Sequence, residues 1–439
     1  MKTCRIILIA SCFLFPIAAR AQDSLQNTPL TLSAAFQLAL NNSEQLRAGR
    51  TRTLLARQQT EVEKLARFPV LSTSFDYGYL SNADIWKPDF SDHTKGGIPH
   101  PLTLLSVQAA ELIFKGNQVN NSIRKSTLEE QVAFLHLEKD EEDIKFLVAA
   151  GYLDICRLLN QRRVYINNTK LARERLKNIL SLRRQGIVTQ NDVLRTELIV
   201  SDYELTVRKI ANGVVALNNQ LNIILGLPDT SRLMPDTTLL RRAAPGKTLD
   251  ALLDDAYREN HELKITAREN EIAETNIKLL KGDRLPEVAL VAASNLQRPF
   301  LTSLPPTDVY YNIYRAGVSV RYNLSSLYQS PRKIKAGTIG LELSRQRDTL
   351  QRQVIEVGVR NAFIKYNESQ DELQTYQSDL KSAEENYRNV ERRYFNQLAL
   401  LTDLIDATNT KTEAEIKVTN AEINTVYTYY QLLKAVGTL

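Results

Sequence analysis

At 439 residues, 43% hydrophobic and 24% charged, the chain can bury a large core, yet 16 Gly, 14 Pro and one Trp are few for a compact enzyme. Few breakers mean long elements. The formal net charge of +6 includes Lys2, Arg5 and Arg20, and the other basic residues interleave with acids, as in Glu138–Asp143 beside Lys145. That pattern describes a solvated helix face rather than a nucleic-acid patch.

Met1–Ala21 has a basic start, an apolar run Ile6–Ala19, and Ala19-Arg20-Ala21 ahead of Gln22, the layout of a cleaved secretory signal. Ile9-Ala10-Ser11-Cys12 faintly resembles a lipoprotein cleavage box, but the apolar run before that cut would be only about six residues, too short for a signal. Cleavage after Ala21 leaves Cys156, read as a small buried apolar residue in a helical run. Beyond the signal no run of about 18 apolar residues occurs, so no spanning helix is expected. A barrel remains open to the chain.

Thr31–Phe68 keeps 3/4 apolar spacing, with Ser33 available as a cap and Pro69 at the far end, and reads as one helix of about 37 residues. Val70–Leu80 switches to period two, with Leu71, Thr73, Phe75, Tyr77 and Tyr79 on one face. A loop rich in Pro and Gly, centred on His93–Pro101, leads to a second strand candidate, Leu102–Phe114, which Glu111 disturbs. From about Gln118 to Leu225 the chain reads as two helices of about 65 and 35 residues, with a turn at Gly186–Gln190. The longer would reach roughly 100 Å, which implies a coiled coil.

The same order then returns. An offset of 217 pairs Leu32 with Leu249, Ala39 with Ala256, Leu46 with Leu263 and Pro69 with Pro286. An offset of 211 pairs Ile144 with Ile355, Val148 with Val359, Asp192 with Asp403 and Gly226 with Gly437. The chain is therefore a duplication: signal 1–21, first repeat 22–230, linker 231–246 and second repeat 247–439. In the second repeat Leu249–Leu285 reads as a helix, Glu287–Asn295 as a strand and Arg298–Pro306 as a loop. Strand Tyr310–Leu324 follows, and helices run on to Gly437. In that strand Tyr314, Ala316, Val318 and Val320 alternate with Arg315, Gly317, Ser319 and Arg321, as a strand between lipid and a water-filled lumen should. Four strands cannot close a spanning barrel, and an open edge in lipid leaves backbone groups unsatisfied, so the chain must oligomerise if these strands lie in a membrane. Two copies would make a barrel filled by its own side chains, so a conducting pore needs three or more.

LTLSAAFQLALNNSEQL near the start, the helix-ending prolines and the paired motifs Gly186-x-x-Thr189-x-x-Asp192-Val193-Leu194 and Gln397-x-x-Leu400-x-x-Asp403-Leu404-Ile405 together resemble the TolC-type outer-membrane efflux proteins. The resemblance covers nearly all of the mature chain. It implies a mainly α fold with a small β part: a homotrimer whose 12-stranded β-barrel in the outer membrane continues as a periplasmic α-helical barrel. It also implies service as exit duct to a periplasmic adaptor and an inner-membrane transporter. By the same resemblance Asp403 and Asp406 match acids that ring the periplasmic aperture, and Tyr394 and Asp192 match a latch tyrosine and its acidic partner. Ala399 and Gln397 depart from the pattern, which has an arginine and a turn glycine there. The alternative is a soluble periplasmic coiled-coil adaptor or tether, against which the duplicated hairpins and symmetrically placed strands count. No catalytic motif appears, and His93, His100, His136 and His261 lack metal-ligand spacing. No enzyme, metal or cofactor is expected.

Overall fold

A computed structural model describes residues 30–229, 231–235, 246–303 and 305–439; the expected signal segment, Cys12 and most of the linker lie outside the described residues. Each repeat is a broken helix, strands and a long helical hairpin. The first comprises α1 (Leu32–Asn42), α2 (Glu44–Lys64), β1 (Val70–Tyr79), β2 (Ala83–Trp86), β3 (His93–Gly96), β4 (Pro101–Phe114), α3 (Gln118–Arg184) and α4 (Gln190–Leu225). The second comprises α5 (Leu249–Glu259), α6 (His261–Gly282), β5 (Glu287–Arg298), β6 (Tyr311–Arg321), α7 (Ser326–Phe395) and α8 (Leu401–Val436). The bounds of α1 and α5 coincide under the offset of 217, and those of α4 and α8 under 211. No described helix is long and apolar enough to cross a membrane.

The single opening helix expected in each repeat is in fact two. Ser43 and Asn260 break it with extended backbone, φ/ψ −61/124 and −60/122, and each caps the next helix: Ser43 Oγ accepts from the Leu46 N–H at 3.5 Å and Asn260 Oδ1 from the Glu262 N–H at 3.0 Å. Thr31, rather than Ser33, caps the first turn. The helical period continues across both breaks, so the apolar pattern alone hides them.

The long hairpins pack through two related clusters. Val148, Ile155, Leu221 and Leu225 enclose Ala35, Ala39 and Leu46, while Ile355, Val359, Leu432 and Val436 enclose Leu252, Ala256 and Leu263. Burying each large aliphatic contributes roughly 1.5–3 kcal/mol. Cys156 lies in the first cluster, fully buried.

Besides a small sheet in which β2 pairs with β3, four of the strands form one antiparallel sheet in the order β1-β4-β5-β6. Its register puts Leu71 opposite Ala109, Ala109 opposite Ala292 and Ala292 opposite Ala316, so the period-two faces read separately on β1 and β6 are one face of the sheet. That face carries Phe75, Tyr77, Leu105, Val107, Leu290, Tyr314, Val318 and Val320, all exposed on the single chain. On the reverse face Ser106 Oγ donates to Asn295 Oδ1 at 2.8 Å. The helices follow the sheet: α2 packs on α3, α3 on α6 and α6 on α7, the order of the strands to which they connect. Both layers therefore end open on the same two sides, β1 with α2 and β6 with α7.

Sheet and helices meet where Gly116, at φ +55, turns the chain into α3. A Cβ there would sit 2.8 Å from the Gly282 Cα at the end of α6. Gly116→Ala should cost at least about 1–2 kcal/mol from the left-handed backbone alone and lower the unfolding temperature of the detergent-solubilised protein. Gly97→Ala, in open space, should leave it unchanged.

Candidate functional site: the hairpin tips

Far from the sheet the long helices turn back. In both tips a left-handed residue closes a Schellman pattern: Gly186 at φ +74, where the Ile187 N–H donates to the Leu182 carbonyl at 3.0 Å, and Gln397 at φ +62, where the Leu398 N–H donates to the Arg393 carbonyl at 2.8 Å. The departure at Gln397 thus keeps the turn and accepts backbone strain that glycine would avoid. The following helices are capped alike. Asp192 Oδ2 accepts from the Thr189 N–H at 2.9 Å and its hydroxyl at 2.8 Å, while Thr189 Oγ1 accepts from the Asp192 N–H at 3.2 Å, a complete capping box. Asp403 Oδ2 accepts from the Leu400 N–H at 3.0 Å, but leucine has no group to return the bond.

Asp403 and Asp406 lie exposed on one side of α8, while Leu401, Leu404 and Thr408 on its other side are buried. One of the two acids therefore has a structural duty the spacing did not disclose. Tyr394 is 9% exposed and packs with Ile179, Val193, Leu401 and Leu404. Its hydroxyl is buried without a hydrogen-bond partner. Burial pushes its pKa up and the Asp192 charge pushes the same way, opposed by Arg175. Tyr394 and Asp192 are thus electrostatic neighbours but are not hydrogen-bonded; Asp192 bonds to Thr189 instead. Ala399 packs at the edge of the same cluster.

What does bond across the tips is a group the sequence reading passed over. Arg175 of α3, 7% exposed, donates to Thr408 Oγ1 of α8 at 3.0 Å and to the Tyr387 hydroxyl of α7 at 3.2 Å. Tyr387 donates in turn to Glu391, and Lys411 lies 5.0 Å from its ring centroid. Burial raises the Tyr387 pKa, as does its bond to Glu391, while Arg175 lowers it. An arginine amid a 67-residue helix reads as surface charge; only the fold shows that its guanidinium is enclosed by hydroxyls from the other repeat. Among the described residues no three His, Cys, Asp or Glu side chains could hold a metal.

Comparison with known proteins places this architecture. Residues 252–438 match the outer membrane efflux protein family. Outer membrane protein TolC of Escherichia coli is 22% identical, over 93% of this chain and 82% of its own. Outer membrane efflux protein BepC of Brucella suis is 20% identical, over 99% and 91%. The second repeat thus matches the family's model, and nearly the whole chain is similar to TolC-type outer-membrane efflux proteins. Solved structures share the fold: VceC of Vibrio cholerae superposes with a TM-score of 0.77 at 13% identity, covering 92% of this chain and 96% of that one. The outer-membrane channel OprN does so with 0.76 at 16%, covering 93% and 90%.

The two tip acids separate by experiment. Asp403→Ala removes the acceptor of the Leu400 N–H, should cost about 1 kcal/mol of helix-end stability, and should speed exchange of the Leu400 amide. Asp403→Asn keeps an acceptor and should protect that amide nearly as well.

Proposed function

We propose that three copies of the chain form a passive exit duct in the outer membrane. The duct receives substrates through a periplasmic adaptor from an inner-membrane transporter of an efflux or type I secretion system. The observation that carries this is the pair of matched open sides: β1 with α2, and β6 with α7. The exposed apolar residues Leu54, Leu55 and Val62 on α2 and Leu343, Leu350, Val357 and Ile364 on α7 supply unpartnered stripes there. Different surfaces on the two sides make a head-to-tail contact, which forms a ring when the rotation between copies closes. Three copies would give twelve strands continued by helices of roughly 100 Å. The efflux protein BepC among the relatives and the outer-membrane channel OprN among the solved structures support the same reading.

At the tips Asp403 and Asp406 of each copy would ring the periplasmic aperture, while Arg175, Tyr387 and Thr408 clasp the two repeats together in the closed state. Tyr394 and Asp192 sit beside that clasp without bonding. Like charges gathered at a narrow opening draw in cations, less so at high salt. Across a planar bilayer the protein should therefore conduct with cation preference and be blocked by a trivalent cation from the tip side. Asp403→Asn with Asp406→Asn should relieve the block while preserving the cap. Arg175→Gln should raise conductance of the closed channel without abolishing its block. A double variant with unchanged block would put the acids on the outer surface, and an unchanged Arg175→Gln conductance would remove the clasp.

A further inference from the structure

The loop between β1 and β4 contains a second, two-stranded sheet, β2 paired with β3, for which neither the duct nor its aperture has a use. Its root is tied to the main sheet, the Leu80 N–H donating to the His100 carbonyl at 2.8 Å and the Ile98 N–H to Asn82 Oδ1 at 3.4 Å. Trp86 stands opposite His93 in the register. The two rings are 4.4 Å apart, with Phe90 6.3 Å from Trp86. His93 is in turn fixed by Asp84, Nε2 to Oδ1 at 2.9 Å. The outer sides of this stack face solvent: Trp86 is 52% and Phe90 75% exposed.

The loop that carries Phe90 is closely tied. The Phe90 N–H donates to the Lys87 carbonyl at 2.9 Å, Lys87 Nζ lies 3.1 Å from Asp92 Oδ2, and Ser91 Oγ donates to Asp89 Oδ1 at 2.6 Å. Within it Phe90 adopts φ +58, a conformation that turns normally give to Gly or Asn. The hairpin thus accepts strain to hold a large apolar ring out in the open, and such outliers mark function more than connection.

Its position indicates what covers it. The apolar face of the sheet ends, away from the helices, in Tyr77 and Tyr79, and Tyr79 stacks on His100 at 4.8 Å. The hairpin begins four residues past Tyr79, so along the chain its rings follow directly on the aromatic end of the face that would contact lipid. Trp and Tyr, apolar in body with one polar group, settle at the headgroup level of a bilayer, and a purely apolar ring such as that of Phe90 can insert beside them. We propose that the β2–β3 hairpin docks on the headgroup layer of the outer leaflet, with Trp86 and Phe90 inserted, and anchors the β1 edge of the sheet at the membrane surface. This rests on the sheet spanning the membrane, and the test separates the two.

Trp86 is the one tryptophan of the chain, so intrinsic fluorescence reports on this hairpin alone. In the full protein reconstituted into phosphatidylcholine vesicles, lipid brominated near the glycerol should quench Trp86 more than lipid brominated at the chain ends, and aqueous iodide should quench it little. Phe90→Gly, which relieves the backbone and removes the ring, should reduce the bromine quenching without changing assembly. Emission quenched by iodide and not by bromolipid would place the hairpin in water and overturn the docking. So would blue-shifted emission quenched by neither, the sign of burial against another copy. A second reporter, Val318→Trp in a Trp86→Phe background, should be quenched most by chain-end bromine. If it is while Trp86 is not, the docking fails and the spanning sheet stands; if neither is quenched, both fail.

Discussion

The structure turns on the backbone hydrogen bonds that the sheet leaves unmade. β1 and β6 each pair on one side only, so a row of N–H and C=O groups on each edge has no strand partner among the described residues. In water such edges are a liability; in hydrocarbon each unsatisfied group costs several kcal/mol, and no side chain on a short edge strand can offset that. The apolar face common to all four strands makes lipid the fitting surroundings. In the proposed duct the edges pair with each other. Because the helical layer is ordered like the sheet, closing the strands would also bring α7 of one copy to α2 of the next, and the apolar stripes of both would be covered by the same operation.

The duplication explains how one chain supplies two unlike edges and a wall between them. Each repeat places two strands side by side, and the break at Ser43 or Asn260 lets a short helix fold onto the waist of its long hairpin while the next helix continues toward the sheet. At the tips the repeats have diverged. Thr189 and Asp192 cap reciprocally, whereas Leu400 leaves Asp403 to cap alone, and a glycine turn in one repeat is a strained glutamine turn in the other. The buried Arg175 links the repeats through hydroxyls, bonds to a charged group worth about 1.5–3 kcal/mol each that can be remade after movement.

Much of this was legible in the residues. The alternation in β6 and β1 gave strand facing that the register reproduces across the whole sheet, and the tip motifs placed both turns to within a residue or two. Three features were not. Ser43 and Asn260 stop a helix with one capping side chain while the apolar period runs on, so periodicity cannot see them. The β2–β3 hairpin has strands of only four residues each inside a segment whose Pro and Gly read as loop. Arg175 looks like any solvated arginine until α7 and α8 close over it. Periodicity reports a helix face, and burial by a distant repeat is not written in it.

The central claim is that the open edges of one chain are closed by other copies of itself. Native mass spectrometry of the detergent-solubilised protein measures this directly. A particle of three chains, resistant to dilution, is the expected result. A folded monomer would leave β1 and β6 unpaired in an apolar phase and would contradict both the barrel and the duct.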